Sequence, residues 1–277
     1  MKMRLSFFGF SKDIDAIAKA GFDCIEMHYR EIVPMSDAEF NDLKHKLADS
    51  PLTAEVVNNP LPLDKQIISP DFSIGDYRTH LETGARRAAE LGARYCNFGN
   101  GKTRSLPANA SAAQTAAARK KICEAIKLVC DINAAYNITV ILEPLSPVVS
   151  NFILSVSEAI ALADELGLKN MKPFIDLRWF VDEKRPYSEI EKYADQIQHI
   201  HIDNPVLPFP ERRIPRLSDN FDYAPFIETL KRICYKGIIS CEANTFDDFE
   251  KDLNDFMAFF RHFDITSYRR VQYNASN

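Results

Sequence analysis

The sequence predicts a single (β/α)8 barrel, and three observations lead to that expectation. Short β-rich runs alternate with longer amphipathic stretches eight times along the chain. No Ser/Gly linker or low-complexity segment divides it. Its 277 residues hold eight β/α units with little room for a second domain. A doubly wound open sheet is the alternative that the same alternation allows.

In chain order, the expected strands are Met3–Phe8, Cys24–His28, Thr53–Val57, Tyr95–Phe98, Thr139–Glu143, Phe174–Asp176, Ile197–Ile202 and Ile238–Glu242. Each is short and rich in β-branched or aromatic residues. Helical periodicity fills the gaps at Asp13–Ala20, Asp37–Ala48, Asp76–Leu91, Ala112–Ala135, Ser155–Leu166, Tyr187–Ala194, Tyr223–Ile233 and Asp247–Phe263. Ser11 and Ser36 stand where the first and second helices need an N-terminal cap, and Gly21, Gly92 and Gly167 stand where the first, third and fifth need a stop. The barrel is expected to occupy residues 1–266, with 267–277 as a C-terminal tail.

Composition narrows the function classes. With 34 Lys+Arg against 39 Asp+Glu, the net charge is −5 and the basic residues are scattered, so nucleic acid is not an expected partner. No apolar run reaches the length of a membrane span, and no membrane partner is expected. Six cysteines without a CxxC pair read as reduced core thiols of a cytoplasmic protein. The GKT of Gly101-Lys102-Thr103 is not a P-loop, because position 96 is Cys where that motif needs Gly, and no GxGxxG is present.

The chemistry is expected at the strand ends, since barrels of this kind build their sites at the C-terminal face. Strand five closes on Glu143, strand six on Asp176, strand seven carries His199 and His201, and strand eight closes on Glu242. Buried carboxylates of like charge repel one another, and burying each costs several kcal/mol unless it is paired or metal-bound. A divalent cation resolves the conflict, and two Glu, one Asp and one His suit Mn²⁺, Mg²⁺ or Co²⁺, with Zn²⁺ less specific. Taken singly, each residue also reads as a cap, a salt-bridge partner or packing. His199 and His201 share a strand face; His201, nearer the end, is the expected ligand.

These residues resemble the xylose-isomerase-like barrel superfamily, whose members include sugar isomerases, ketose 3-epimerases, inosose isomerases and dehydratases. The resemblance spans nearly the whole chain and is carried by Gly21-Phe22-Asp23-Cys24-Ile25-Glu26, Leu142-Glu143-Pro144-Leu145, Phe174-Ile175-Asp176, His199-Ile200-His201-Ile202-Asp203 and Gly237-Ile238-Ile239-Ser240-Cys241-Glu242. It implies one divalent metal held by Glu143, Asp176, His201 and Glu242, with the two glutamates as acid/base groups. It also implies a homo-oligomer acting on a small carbohydrate. The endonuclease branch fits least, since its extra metal ligands on earlier strands have no match here.

Two departures from the ketose 3-epimerases stand out: Val149 and Trp179 occupy positions where those enzymes place a substrate-holding Glu and His. The arginine expected after the metal His is matched to Arg212 or Arg213 within Glu211-Arg212-Arg213-Ile214-Pro215, and Arg213 is preferred because Arg-x-Pro is the better match. Substrate-side candidates are therefore Arg213, His199, Trp179 and Lys102, with Arg104 beside Lys102 as a further site for an anionic group. The expected reaction is isomerisation or epimerisation through an enediolate. A metal-dependent lyase, dehydratase or hydrolase, and a silent sugar-binding barrel, remain as alternatives.

Overall fold

The computed structural model describes residues 2–266, so the expected tail at 267–277 lies outside the described residues. Nine strands and ten α-helices alternate: β1 (Arg4–Phe8), α1 (Ile14–Ala20), β2 (Cys24–His28), α2 (Tyr29–Ile32), α3 (Asp37–Asp49), β3 (Thr53–Asn58), α4 (Arg78–Glu90), β4 (Tyr95–Phe98), α5 (Ala112–Ala134), β5 (Thr139–Leu142), α6 (Val156–Leu166), β6 (Met171–Pro173), β7 (Ile175–Asp176), α7 (Leu177–Asp182), α8 (Ser188–Lys192), β8 (His199–Ile202), α9 (Ala224–Arg232), β9 (Ile238–Cys241) and α10 (Phe249–His262). The sixth strand, expected at Phe174–Asp176, begins earlier, at Met171, and breaks at Phe174 into β6 and β7, and α2 and α7 are short helices that the periodicity did not signal.

The chain groups into two compact units. The first comprises residues 1–27, 41–54 and the described chain from 175 onward. In it β1 pairs in parallel with β2 and β9, β9 with β8, and β8 with β7, in the register Asp176↔His201 and His201↔Ser240. Its core is aromatic: Phe7 meets Phe22 edge-on at 5.8 Å, and Phe22 stacks on Phe256 of α10 at 5.3 Å. Such pairs contribute about 0.5–1.5 kcal/mol each beyond the area they bury.

The second unit comprises residues 28–40 and 55–174. Here β4 pairs in parallel with β3 and β5, and β5 with β6. Parallel strands need crossover helices, and α4, α5 and α6 supply them. Arg87 of α4, buried, donates to the carbonyls of Ile32, Val33 and Met35, which satisfies the orphaned end of the short α2.

Local signals hold where they were expected. The Ser36 hydroxyl accepts from Glu39 N while the Glu39 carboxylate accepts from Ser36 N, closing a capping box on α3. Ser155 caps α6, and Gly21 and Gly167 end α1 and α6 in the left-handed region, at φ +96° and +66°. Ser11 instead lies within a 3-10 turn, Ser11–Asp13, that leads into α1. All six cysteines are free; five are buried, and Cys234 after α9 is exposed.

Candidate functional site

The first unit gathers a buried polar cluster at the C-terminal ends of β2, β7, β8 and β9. Glu26 lies in β2, whose five residues are all buried, so its carboxylate has no water to turn to. It turns to the histidines of β8. His201 Nε2 lies 3.1 Å from both Glu26 oxygens, and His199 Nε2 lies 3.0 Å from Glu26 Oε2. The period of two along β8 puts both imidazoles on that face, ring centroids 4.9 Å apart. Glu26, His199 and His201 each offer an atom within 4.8 Å of the others.

The other nitrogen of His201, Nδ1, stands 2.9 Å from Glu242 Oε2 at the end of β9. Phe8 stacks beside the His201 ring at 6.1 Å and fixes its plane. Asp176 at the end of β7 accepts from Arg178 N at 2.9 Å and from the Arg212 guanidinium at 2.8 Å, and one of its oxygens lies within 4.8 Å of a His201 nitrogen. Arg212 also stands 3.1 Å from Glu242 Oε2 and 3.2 Å from Asp203 Oδ2. Asp203 in turn accepts two bonds from Arg178, which donates further to the carbonyls of Asn204, Leu207 and Glu211.

Charge within this cluster does not balance. With His201 neutral, as a metal ligand must be, the carboxylates of Glu26, Asp176, Asp203 and Glu242 outnumber the guanidiniums of Arg178 and Arg212 by two, and a proton on His201 offsets half of that excess. The titration behaviour follows. Burial pushes the Glu26 carboxyl up, but His201 and His199 outweigh it and hold the group well below the usual carboxylate range. Burial disfavours a proton on His201, yet Glu26 and Glu242 override that and raise it well above an ordinary histidine. His199, for which burial prevails, is lowered. For Glu242 burial raises the group, and Arg212 and His201 bring it below its ordinary value.

In the second unit, Glu143 follows β5 and is buried. Arg104, fully buried, donates to the carbonyls of Glu143, Gly99 and Phe152. Those three bonds engage Nε and both terminal nitrogens, so Arg104 is a brace for the loop after β4 and not the anion-binding group its neighbourhood suggested. A Cβ on Gly99 would stand 2.8 Å from Glu143 Oε2 and 3.1 Å from Asn59 Oδ1, so only glycine lets this loop lie against the carboxylate. Asn97 of β4 is buried beside it, and neither atom of its side-chain amide has a hydrogen-bond partner among the described residues.

The structure thus brings Asp176, His201 and Glu242 together, with His199 against Glu26. Arg212, not Arg213, reaches the carboxylates: Arg213 turns outward to Glu211 at 2.7 Å and Asp247 at 2.9 Å. Asn204 N bonds the Arg213 carbonyl and Asn244 N the Arg212 carbonyl, so the two residues are held to opposite sides of the loop. Trp179 is buried, with the Arg212 guanidinium 5.1 Å over its ring and Phe209 at 5.7 Å, so it backs the arginine. Lys102 is exposed on the 3-10 turn Gly101–Thr103. Glu26, Arg178 and Asp203 were not among the expected site residues, and Arg212 was the arginine passed over for Arg213. The available signal for Glu26 was a lone carboxylate flanked by Ile25 and Met27 inside a buried strand.

Comparison with known proteins settles the family. The family model described as xylose isomerase-like TIM barrel matches residues 14–262, most of the chain. The chain belongs to the xylose isomerase-like TIM barrel family. The barrel expected from the alternation of strands and helices is therefore its fold, and the doubly wound sheet is set aside. A search of curated proteins finds no match. Among solved structures, the barrel is similar to a 3-keto-D-glucoside 4-epimerase from E. coli (19% identity, TM-score 0.77, covering 94% of this chain and 100% of that one). It is also similar to an L-ribulose 3-epimerase (19%, 0.76, 100% and 99%) and to an AP endonuclease family 2 protein from Brucella melitensis (19%, 0.70, 95% and 98%). At these identities the likeness concerns the fold. Among the described residues, no helix is long and apolar enough to cross a membrane.

Proposed function

We propose that the chain is a divalent-metal-dependent isomerase or epimerase of a small sugar or polyhydroxy carbonyl compound. The observation that carries this reading is the buried cluster of imidazole and carboxylate groups, with two negative charges in excess once His201 is neutral, built at the face where barrels place their active sites. The donor set fits a metal: oxygen and imidazole nitrogen, no thiolate, and a charge deficit that one divalent cation would meet. Asp176, His201 and Glu242 would hold it. Glu143 is assigned as the remaining ligand from the family resemblance. Mn²⁺, Mg²⁺ and Co²⁺ suit this set best.

When bound, the cation supplies Lewis-acid stabilisation for the charge that develops as a proton leaves the carbon beside a carbonyl. The chain's own residues do the rest. Glu242, held below its ordinary value by Arg212 and His201, is ionised at neutral pH and able to accept that proton on a carboxylate oxygen. Glu143 is the second carboxylate, to return a proton from another direction. Arg212, backed by Trp179, offers fixed N–H donors to a substrate oxygen beside Glu242. Glu26 holds His201 by Nε2, so that Nδ1, 2.9 Å from Glu242 Oε2, is the nitrogen that faces a proposed ligand carboxylate, an orienting role in the manner of carboxylate–histidine–metal triads.

Several similar structures are named as epimerases of free ketoses or of a keto-glucoside, which supports a carbohydrate substrate. A soluble homo-oligomer is part of the same proposal. A silent sugar-binding barrel is the second reading, and Arg212 favours it, since its guanidinium already pairs with both Asp176 and Glu242. Metal content of the purified protein, followed by incubation with ketoses, aldoses and inososes in D2O, separates the two. Bound divalent metal with deuterium entering a sugar C–H supports the enzyme; neither metal nor exchange supports the binder.

One consequence is measurable without turnover. Glu26→Gln is expected to weaken metal binding by about 10- to 100-fold, as loss of an orienting partner does elsewhere. Competition with a chromophoric chelator would read it, and an unchanged affinity would remove Glu26 from the site.

A further inference from the structure

The second unit holds a cavity of about 430 Å³ that the proton chemistry does not use. It opens at the C-terminal ends of β2 and β3, where His28 and Asn59 line it. Its size falls within the range of small-molecule pockets, about 300–1,000 Å³. Val33, Pro34, Leu61, Pro62 and Leu63 form its aliphatic side, and Arg30, Asp64 and His80 complete the lining. Leu63 is 46% exposed, an apolar side chain that folding alone leaves in water.

Asn59 relates the cavity to Glu143. Asn59 is shared: its Oδ1 and the Glu143 Oε2 both close on the space that one methyl group on Gly99 would fill. A ligand with one end at Glu143 therefore has its other end beside the aliphatic wall. A free ketose carries hydroxyls along its length, and those that face the aliphatic side, away from Arg30, Asp64 and His80, lose water without gaining a partner. An apolar group gains there.

We propose that this cavity binds an apolar substituent, an aryl or short alkyl group, attached to the carbonyl-bearing sugar whose reacting end lies at Glu143, so that the preferred substrate is an O-alkyl or O-aryl keto sugar and not an unsubstituted monosaccharide. The proposal rests on the reading of Glu143 as a proton-transferring carboxylate. It adds to that reading what the far end of the substrate is made of.

The test is calorimetric, with probes that lack a free carbonyl and so bind without turning over. Phenyl β-D-glucopyranoside is expected to bind at least about tenfold tighter than methyl β-D-glucopyranoside, with a more negative heat-capacity change. Leu63→Asp, at an exposed position that folding tolerates, is expected to remove the difference and leave methyl glucoside binding unchanged. Val33→Asp, on another segment of the wall, is expected to do the same. Equal binding of the two probes to the parent protein, no measurable binding of either, or a phenyl preference that survives both substitutions overturns the proposal. Deuterium exchange is read separately: a phenyl preference without exchange on any carbonyl sugar overturns the enzymatic reading, whereas exchange without the preference overturns only the apolar cavity.

Discussion

Glu242→Gln is expected to slow deuterium entry into the substrate by about 10³-fold, within the 10²–10⁴ that a positioned acid or base contributes. The amide keeps the shape and can still accept from the guanidinium of Arg212, which stays paired with Asp176 and Asp203, so the fold should survive. What is lost is a carboxylate able to take and return a proton. Burial would make such a group a stronger base, but Arg212 and His201 pull the other way and leave Glu242 below its ordinary value. A carboxylate tuned down in this way removes a carbon-bound proton only if the resulting negative charge is stabilised, which is why the reading requires a metal as well as a base. Glu143→Gln should cause a loss of the same order. Exchange within about threefold of the parent rate in both variants, with the fold intact by circular dichroism, would sink the proposed roles.

Arg178→Met is the substitution with the largest expected effect on stability. Arg178 and Asp203 are both essentially inaccessible to solvent, and the arginine binds Asp203 at 2.5 and 2.9 Å while also holding the carbonyls of Asn204, Leu207 and Glu211. Removing one member of a buried pair costs about 3–5 kcal/mol, because the other is left charged and unsatisfied. For a chain of this size that is a fall in melting temperature of at least about 6 °C. Asp203 would keep a contact with Arg212, at 3.2 Å, which limits the penalty and pulls Arg212 away from Glu242. Melting within about 2 °C of the parent would show that the loop after β8 does not depend on this arginine.

Much of this was legible in the sequence. The strand ends Asp176 and Glu242, and the alternation that places His199 and His201 on one face, follow from period and position, and both hold. The split at Phe174 was not legible, because Met171–Pro173 and Ile175–Asp176 belong to one continuous stretch whose change of pairing partner is a tertiary fact. The choice between Arg212 and Arg213 was equally closed to sequence reasoning. Adjacent identical side chains differ only in which way the loop turns them, and that is set by backbone bonds to Asn204 and Asn244. Arg104 illustrates the opposite error. A cation in a glycine-containing loop suggests an anion site, yet burial converts it into a donor for carbonyls that would otherwise go unsatisfied.

The cysteines have a practical consequence. Burial pushes the thiols of Cys24, Cys96, Cys130 and Cys241 up, which suppresses the reactive thiolate, and it does the same in part for Cys123. Cys234 alone among them meets solvent, and it precedes β9, while Glu242 follows that strand's far end. The native chain therefore carries a single chemically addressable handle, on the side of β9 away from the chemistry, where a fluorophore or a surface tether could be attached through maleimide without engineering.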